Sequence, residues 1–230
     1  MSKEKPILFN DEMVRAILEG RKTQTRRALD VPAGWSLESA HGEPCVLGKI
    51  TSPHPKRDRF GAFIRKEIHP GSGKFQHDIV ACRHGGPGDR LWVREAWRQF
   101  SATDECGCSE APCGCLSTGT VLYRATDDDG ESKWRPSIHM PRWASRITLG
   151  ITSVRVERLQ DISADDARAE GCSKPELPPE VRGVAGDFVA DERTTFAILW
   201  NRINGPGSWA ANPFVWVIEF RHVEAQEQSV

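Results

Sequence analysis

The sequence contains no apolar run that approaches the length of a membrane-spanning helix. Its first ten residues, MSKEKPILFN, have no apolar h-region of the kind that a secretory signal needs. An excess of charge of either sign is also missing, since the net charge is −1 at pH 7. Contact with nucleic acid would therefore depend on a local basic patch and not on the field of the whole protein. We expect a globular cytoplasmic protein that does not bind membranes.

Tyrosine is nearly absent, with one residue beside eight Trp and nine Phe. Tryptophans favour a packed core, and their flat rings also offer surfaces on which nucleic-acid bases stack. The chain of 230 residues has room for one large domain or two small ones. We predict a single domain over residues 1–230, and the sequence leaves its oligomeric state open.

Strand patterns outnumber helix patterns along the chain. The clearest strand is FVWVIEFRHV at 214–223, and shorter strands are predicted for KPILF at 5–9 and LWVRE at 91–95. The predicted helices are few and short, and two of them are capped by Asn10 and Ser163. Because no repeated βαβ rhythm is visible, we predict a mainly β (α+β) fold. Its expected form is a small, mostly antiparallel β-barrel flanked by short helices, with inserted loops.

Two segments interrupt this pattern and are predicted as insertions. Residues 29–86 are rich in Pro, Gly and His and show no sustained periodicity. A structureless loop of that length is rare in a compact domain, so we expect short strands within it at 60–68 and 75–82. We expect this first insertion to lie at the periphery. The second insertion, at 101–119, carries a cluster of cysteines.

The segment AILEGRKTQTRR at 16–27 concentrates polar chemistry. Gly20 ends an amphipathic helix, and the seven residues after it contain four cations and two threonines. Threonines and cations alternate in it as they would on a strand. Such a strand either holds a polar or anionic group or forms a solvated edge, and runs of charge more often face solvent.

Several segments together resemble the ASCH domain (activating signal cointegrator homology), which belongs to the PUA-like superfamily of small β-barrels. In chain order they are AILEGRKTQTRR, PGDRLWVRE, DISADDARAEGC and the final FVWVIEF strand. The stretches GRKTQTRR, GDRLWVREAW, WRPSIHMPRWASRI and INGPGSW are similar to the subgroup carried by phages and prophages. The resemblance covers most of the chain outside the two insertions. It implies a function related to RNA or nucleotides.

One enzymatic branch, the small bacterial N4-acetylcytidine amidohydrolases, is similar in the same motif. Its catalytic Lys and Thr lie in a GRKT-x-T-x-R segment, and its catalytic Glu lies in the short helix after the middle strands. The resemblance therefore implies Lys22, Thr25 and Glu170 as catalytic residues in this chain. It implies no cofactor for catalysis.

The residue types at these positions suit amide hydrolysis, which needs a nucleophile, a group that takes its proton and a donor for the leaving amine. Thr25 would attack directly or position a water, and a desolvated Lys22 beside Arg21 or Arg26 would have a pKa low enough for a base. Glu170 would carry the proton to the leaving nitrogen. Its place at a helix C-terminus opposes the helix dipole, which favours a role other than surface solvation. On an ideal strand Lys22 and Thr25 point to opposite faces, so the preceding turn must bring Lys22 round.

Five further residues are predicted to contact the substrate. Arg27 and Arg94 are suited to clamp a phosphate or a base edge, although surface ion pairing explains them equally well. Arg21 and Thr23 belong to the same motif as Lys22. Glu95 is an acid on a strand face that is otherwise apolar.

Four cysteines are clustered as C-x-C-x4-C-x-C at Cys106, Cys108, Cys113 and Cys115. Four thiolates make a tetrahedral zinc site with no open position, so the metal would be structural. The C-x-C spacing is tighter than the more usual C-x2-C. Disulfides and a loop of reduced thiols are the two alternative interpretations.

Two functions are compatible with these residues. The first is an amidohydrolase that acts on an acylated, cytidine-type nucleoside or nucleotide, and it needs a deep pocket that holds Lys22, Thr25 and Glu170 together. The second is a non-catalytic module that binds RNA or modified nucleic acid, and it needs an open basic face with exposed Trp. The near-neutral net charge favours a pocket for a small ligand.

Overall fold

The computed structural model describes residues 3–39, 45–51, 58–107, 114–173 and 191–223. Its strands in chain order are β1 (Glu4–Leu8), β2 (Gln24–Ala28), β3 (Ser36–Leu37), β4 (Leu47–Ile50), β5 (Arg59–Glu67), β6 (Phe75–Ala81), β7 (Arg90–Arg94), β8 (Trp97–Gln99), β9 (Val121–Tyr123), β10 (Thr148–Arg158) and β11 (Phe214–His222). Its α-helices are α1 (Asp11–Leu18), α2 (Ala102–Glu105), α3 (Arg124–Asp127), α4 (Ala164–Ala169) and α5 (Glu192–Asn204). No helix in these ranges is long and apolar enough to cross a membrane.

The main sheet has five strands in the order β1-β7-β10-β11-β2. Only β1 and β7 run parallel, and the long pair of β10 and β11 forms its centre. The side chains of β11 alternate between two hydrophobic clusters. Val215 and Val217 pack with α4 and α5, whereas Trp216 and Ile218 pack with α1. Both faces of the sheet are thus covered, which explains why the FVWVI run at 214–218 is apolar throughout.

The helix α1 begins and ends where its sequence predicts, just before the GRKTQTRR segment. The Asn10 side chain accepts a hydrogen bond from the Met13 amide at 2.9 Å, which caps the first turn. Gly20 follows the helix with φ of 72°, a left-handed conformation that suits glycine. The amides of Arg21 and Lys22 then donate to the Ala16 carbonyl. The chain therefore turns tightly before β2 begins.

The mixed, strand-rich character of the fold is confirmed, but a closed barrel is not observed. Within the described ranges the strands form three separate sheets, and β1 and β2 are the two edges of the main one. The chain between these edges forms α1, which packs against the core. A helix satisfies its backbone hydrogen bonds internally, so it covers this side of the sheet without joining the two edge strands into a cylinder.

The first insertion contains the strands that its sequence predicts. β5 and β6 match the expected strands at 60–68 and 75–82, and with β3 and β4 they form a second sheet. The prediction that the insertion is peripheral is wrong. Leu29, Cys45, Ala62 and Cys82 are buried in the same hydrophobic cluster as α1 and the main sheet. The segment therefore supplies part of the core.

Candidate active site

The backbone brings Lys22 and Glu170 together although 148 residues separate them. Lys22 forms an isolated β-bridge with Glu170, and the Thr23 amide donates to the Ala169 carbonyl at 2.8 Å. Glu170 is the C-terminal cap of α4, whose N-terminus is capped by Ser163 as predicted. The chain can leave α4 here because Gly171 has φ of 90°, and a Cβ at this glycine would lie 2.9 Å from the Ala16 Cβ.

The two side chains form a buried ion pair. Lys22 Nζ donates to Glu170 Oε2 at 2.7 Å and to the Glu170 carbonyl oxygen at 2.8 Å. The exposed fraction is 0% for the Lys22 side chain and 2% for that of Glu170. Burial lowers the pKa of the Lys22 ammonium below its ordinary value; the Glu170 carboxylate opposes this effect, and the charge of Arg27 adds to it. A proton held between such a lysine and a carboxylate is suited to transfer.

Arg26 completes the pair by binding the other oxygen of the same carboxylate. Its Nη1 lies 3.2 Å from Glu170 Oε1, and its Nη2 lies 2.5 Å from Glu157 Oε1 and 3.2 Å from Asp166 Oδ2. Arg155 in turn binds Glu157 and Asp166. Glu170 is therefore held by one cation on each oxygen, and the arrangement fixes the orientation of its carboxylate.

Thr25 lies beside this pair in a small cavity. It is buried, and with Glu170 it lines a cavity of about 40 Å³. Phe196, Leu199 and Trp200 of α5 form the cover of this cavity. The volume admits about one to three water molecules and is too small for a pyrimidine base. In this conformation the cavity can hold water next to Thr25 but not a pyrimidine base. Glu170 also lines a separate cavity of about 400 Å³.

The three predicted catalytic residues therefore share one region. Lys22 and Glu170 are in direct contact, and Thr25 and Glu170 line the same cavity. The geometric difficulty of opposite strand faces is resolved because Lys22 precedes β2, which begins at Gln24. Lys22 thus reaches Glu170 from the turn and not from the strand.

The five residues predicted to contact substrate fall into three places. Arg27 and Arg94 line a cavity of about 730 Å³ next to β1. Arg21 and Thr23 lie in a depression beside α4, and Arg21 pairs with Glu19. Arg21 also lines, with Glu170, a cavity of about 400 Å³. The structure therefore does not bring Arg21 and Thr23 to Arg27 and Arg94.

Glu95 has a structural partner that explains its place on an apolar face. Its two carboxylate oxygens receive hydrogen bonds from Arg146 Nε at 3.0 Å and Arg146 Nη2 at 2.9 Å. Burial raises the pKa of the Glu95 carboxyl, and Arg146 opposes that effect. Because Arg146 occupies both oxygens, the prediction that Glu95 contacts substrate has no support in the geometry.

Other residues of the site carry no recognisable sequence signal. The large cavity is also lined by His84, Arg124, Trp134 and Arg135. They come from three separate segments, so no spacing rule links them. The WRP stretch at 134–136 is the one local hint, because it places an aromatic ring next to a guanidinium.

The cysteine cluster is described only in part. Cys106 Sγ and Cys115 Sγ lie 3.5 Å apart, which exceeds the ~2.05 Å of a disulfide bond. Cys108 and Cys113 lie outside the described residues. Within the part of the chain that the structure describes, no group of three or more His, Cys, Asp or Glu side chains could hold a metal ion. The zinc prediction therefore depends on residues whose positions are not described.

Comparisons with known proteins add no constraint to this geometry. No family model matches the chain, and neither curated proteins nor solved structures give a match. The resemblance to the ASCH domain thus stays a prediction. The functional argument rests on the ion pair of Lys22 and Glu170, on Thr25 and on the cavities beside them.

Proposed function

We propose that this chain is an ASCH-type amidohydrolase that removes the acyl group from an N4-acylated cytidine-type nucleoside or nucleotide. The observation that carries the proposal is the buried contact between Lys22 and Glu170, next to the cavity that Thr25 lines. A buried lysine is costly unless it has a role or a partner, and here the pair adjoins a cavity of the size of the attacking water. The PUA-like origin of the fold, a phage or prophage relationship and a cytoplasmic location belong to the same proposal.

The proposed reaction uses each of the three residues for one task. Thr25 positions a water in the small cavity. Transfer of a proton from the Lys22 ammonium to Glu170 within the ion pair leaves a neutral amine, which takes the proton of this water as the water oxygen bonds to the acyl carbon. The carbonyl becomes an oxyanion, and when it reforms the C–N bond breaks. Glu170 relays the proton from Lys22 to the leaving N4 nitrogen, so the products are the cytosine amine and a carboxylic acid. Water is the only co-reactant.

A substrate that approaches Thr25 from the large cavity requires side chains of α5 to move. Leu199 and Ile203 lie on α5 and line the small cavity, while Ile203 is half exposed and also lines the large cavity. Movement of these side chains would join the two cavities. A closed cover would also exclude bulk water during the reaction, which strengthens the electrostatic interactions of the pair.

A second candidate function is supported by the large cavity. Four arginines line it, together with Trp134, a combination typical of nucleic-acid binding. On this alternative the chain would bind RNA or a modified nucleic acid without cleaving it. The ion pair of Lys22 and Glu170 would then be purely structural.

Hydrolysis of a panel of N4-acylated cytidines and their 5′-monophosphates tests the first candidate. We expect release of free carboxylic acid, and a loss of at least about 100-fold in kcat/KM for Thr25→Val, with partial recovery in Thr25→Ser. Glu170→Gln should cause a similar loss. Glu157→Gln is its matched control, since Glu157 also binds Arg26 but lies outside the contact with Lys22. Absence of hydrolysis across the panel, with RNA bound tightly, would favour the second candidate.

A further inference from the structure

The large cavity is built around the C-terminal end of β1. We call it the arginine cavity and define it by Arg27, Arg94, Arg124 and Arg135, which line it from four separate segments. Its volume of about 730 Å³ lies within the ~300–1,000 Å³ typical of sites for small ligands. Its apolar wall is formed by residues of β1 and by Phe9. The cavity is therefore large enough for a nucleotide.

The charges in the arginine cavity are unbalanced. Among the described residues that line it, four guanidinium groups face one carboxylate, that of Asp11. Asp11 Oδ2 binds Arg124 Nε at 2.6 Å, and its Oδ1 is buried without a hydrogen-bond partner among the described groups. The excess positive charge favours an anionic ligand. The open carboxylate oxygen can in addition accept a hydrogen bond from a hydroxyl or amino group of that ligand.

Two buried nitrogen atoms in the same cavity also lack partners. Arg94 Nε has no hydrogen-bond partner among the described groups, although Arg94 Nη2 donates to the Ile138 carbonyl. His84 Nδ1 is unpartnered in the same sense. A buried guanidinium N–H left without an acceptor is costly, because it has lost its water. A phosphate oxygen placed at this point would satisfy it.

The electrostatics around His84 agree with a site for an anion. Burial, together with the charges of Arg27, Lys5 and Arg83, lowers the pKa of His84 to about 4. The imidazole is therefore neutral at pH 7 and adds no positive charge to that of the arginines. A bound anion would offset the charge of Arg27 and so raise this pKa.

An aromatic ring completes the cavity. Trp134 lines it next to Arg135, and its indole Nε1 donates to Asp128 Oδ1 at 3.1 Å, which holds the ring in place. Arg27 lies over Phe9 with 5.3 Å from its Cζ to the ring centroid. An indole ring beside guanidinium groups offers a flat surface against which part of a nucleotide can pack while its phosphate binds the guanidinium groups.

The arginine cavity adjoins the candidate active site. Met13, Arg27 and Ile203 line both this cavity and the small cavity of Thr25 and Glu170. These three side chains form the partition between the two. A ligand seated in the arginine cavity would therefore present one end to Thr25 once Ile203 moves.

We propose that the arginine cavity binds the phosphate group of a cytidine nucleotide, so that the substrate is a phosphate mono- or diester and not a free nucleoside. This inference rests on the proposed function for the identity of the base. The phosphate binds Arg94 and Arg135, and the base lies toward the partition at Met13 and Ile203. Free mononucleotides and single-stranded RNA present the same phosphate chemistry.

Calorimetric titration of the full chain with cytidine, cytidine 5′-monophosphate, inorganic phosphate and a short single-stranded RNA tests the inference. We expect the monophosphate or the RNA to bind at least about tenfold more tightly than cytidine and than inorganic phosphate, because hydrogen bonds to charged groups are strong. The stronger of these two ligands identifies the source of the phosphate. Equal affinities for cytidine and its monophosphate, with no binding of RNA, would overturn the proposal.

Arginine variants locate the binding. Arg94→Gln and the exposed Arg135→Gln should each weaken binding of the preferred phosphate ligand about tenfold and leave that of cytidine unchanged. Arg142→Gln is the matched control, because Arg142 is an exposed guanidinium that pairs with Glu4 outside the cavity. Unchanged affinity in both cavity variants would overturn the proposal. Circular dichroism of each variant checks that it is folded.

Hydrolysis assays separate this inference from the proposed function. Phosphate binding that depends on Arg94 and Arg135, without cleavage of any acylated nucleotide, would refute the hydrolase and leave the cavity assignment standing. Equal kcat/KM for an acylated nucleoside and its monophosphate, unaffected by Arg135→Gln, would refute the cavity assignment and leave the hydrolase standing. Nuclear magnetic resonance of His84 gives an independent readout, since its pKa should rise from about 4 when the phosphate ligand binds.

Discussion

Replacing Lys22 with Met tests the buried ion pair at the centre of the candidate site. Methionine has a similar length and an apolar tip, so it removes the ammonium and keeps most of the volume. In the native chain Lys22 Nζ donates to the carboxylate and to the carbonyl oxygen of Glu170, and both side chains are almost wholly buried. Lys22→Met therefore leaves a buried carboxylate with one cationic partner fewer.

The expected cost follows from what surrounds Glu170. Removing one partner of a buried ion pair lowers the free energy of unfolding by ~3–5 kcal/mol. Arg26 Nη1 stays 3.2 Å from Glu170 Oε1 and partly compensates, so we expect the lower end, ~3 kcal/mol. Adding Glu170→Leu removes the stranded carboxylate. The double variant should therefore regain ~1–2 kcal/mol relative to Lys22→Met.

Urea unfolding at pH 7, followed by Trp fluorescence and circular dichroism, measures these differences across the wild type, both single variants and the double variant. Lys49→Met is the matched control. The Lys49 side chain is 61% exposed and pairs with Asp58, so its loss should change stability by less than ~0.5 kcal/mol. A cost below ~1 kcal/mol for Lys22→Met, with no coupling to Glu170→Leu, would refute the buried pair.

Three further predictions test other parts of the chain. Arg146→Met should lower the free energy of unfolding by ~3 kcal/mol at pH 7 and by less at pH 5. Without Arg146 the pKa of the buried Glu95 rises further, and the folded state loses stability as pH rises through that pKa. Urea unfolding at both pH values checks this, and an equal cost at both would contradict it. His84 should contribute stability that is present above pH 6.5 and lost as pH falls toward its folded pKa of about 4, an effect of ~3 kcal/mol at most. In His84→Gln the free energy of unfolding should therefore fall less steeply between pH 6.5 and about 4. If Cys106, Cys108, Cys113 and Cys115 bind zinc, elemental analysis should find about one equivalent of zinc. A chelator should then speed proteolysis between residues 100 and 121 while the circular dichroism signal of the sheets persists. Less than about a tenth of an equivalent would mean that this segment is a loop of reduced thiols.

Elements whose signals are local are predictable from the sequence. The Asn10 cap, the glycine at 20 and the Ser163 cap each act on residues within a few positions, and the structure places all three as expected. The strands β5, β6 and β11 are likewise found where alternation or continuous apolar character predicts them. Such patterns depend on contacts between near neighbours, which the order of residues records directly.

Closure of the sheet and the place of the first insertion were not predictable in this way. A strand pattern reveals which face is apolar, but the partner of an edge strand is chosen by the packing of the whole domain. The helix α1 covers the side of the sheet where a barrel would close, and Ala62 and Cys82 of the insertion join the same core. The loop-like composition of the insertion does not indicate that its residues join the core, because the burial of a residue depends on what packs against it in the folded chain.

The sequence alone determined the chemistry available to this protein: a cationic, hydroxyl-bearing motif after Gly20, an acid at the end of a capped helix and a net charge of −1. Only the tertiary structure decided which of these groups act together. It joined Lys22 to Glu170 across 148 residues, paired Glu95 with Arg146, and gathered arginines from separate segments around one cavity. The reason is physical, because an ion pair or a cavity exists only through distance and burial in space, and neither quantity is a property of neighbours along the chain.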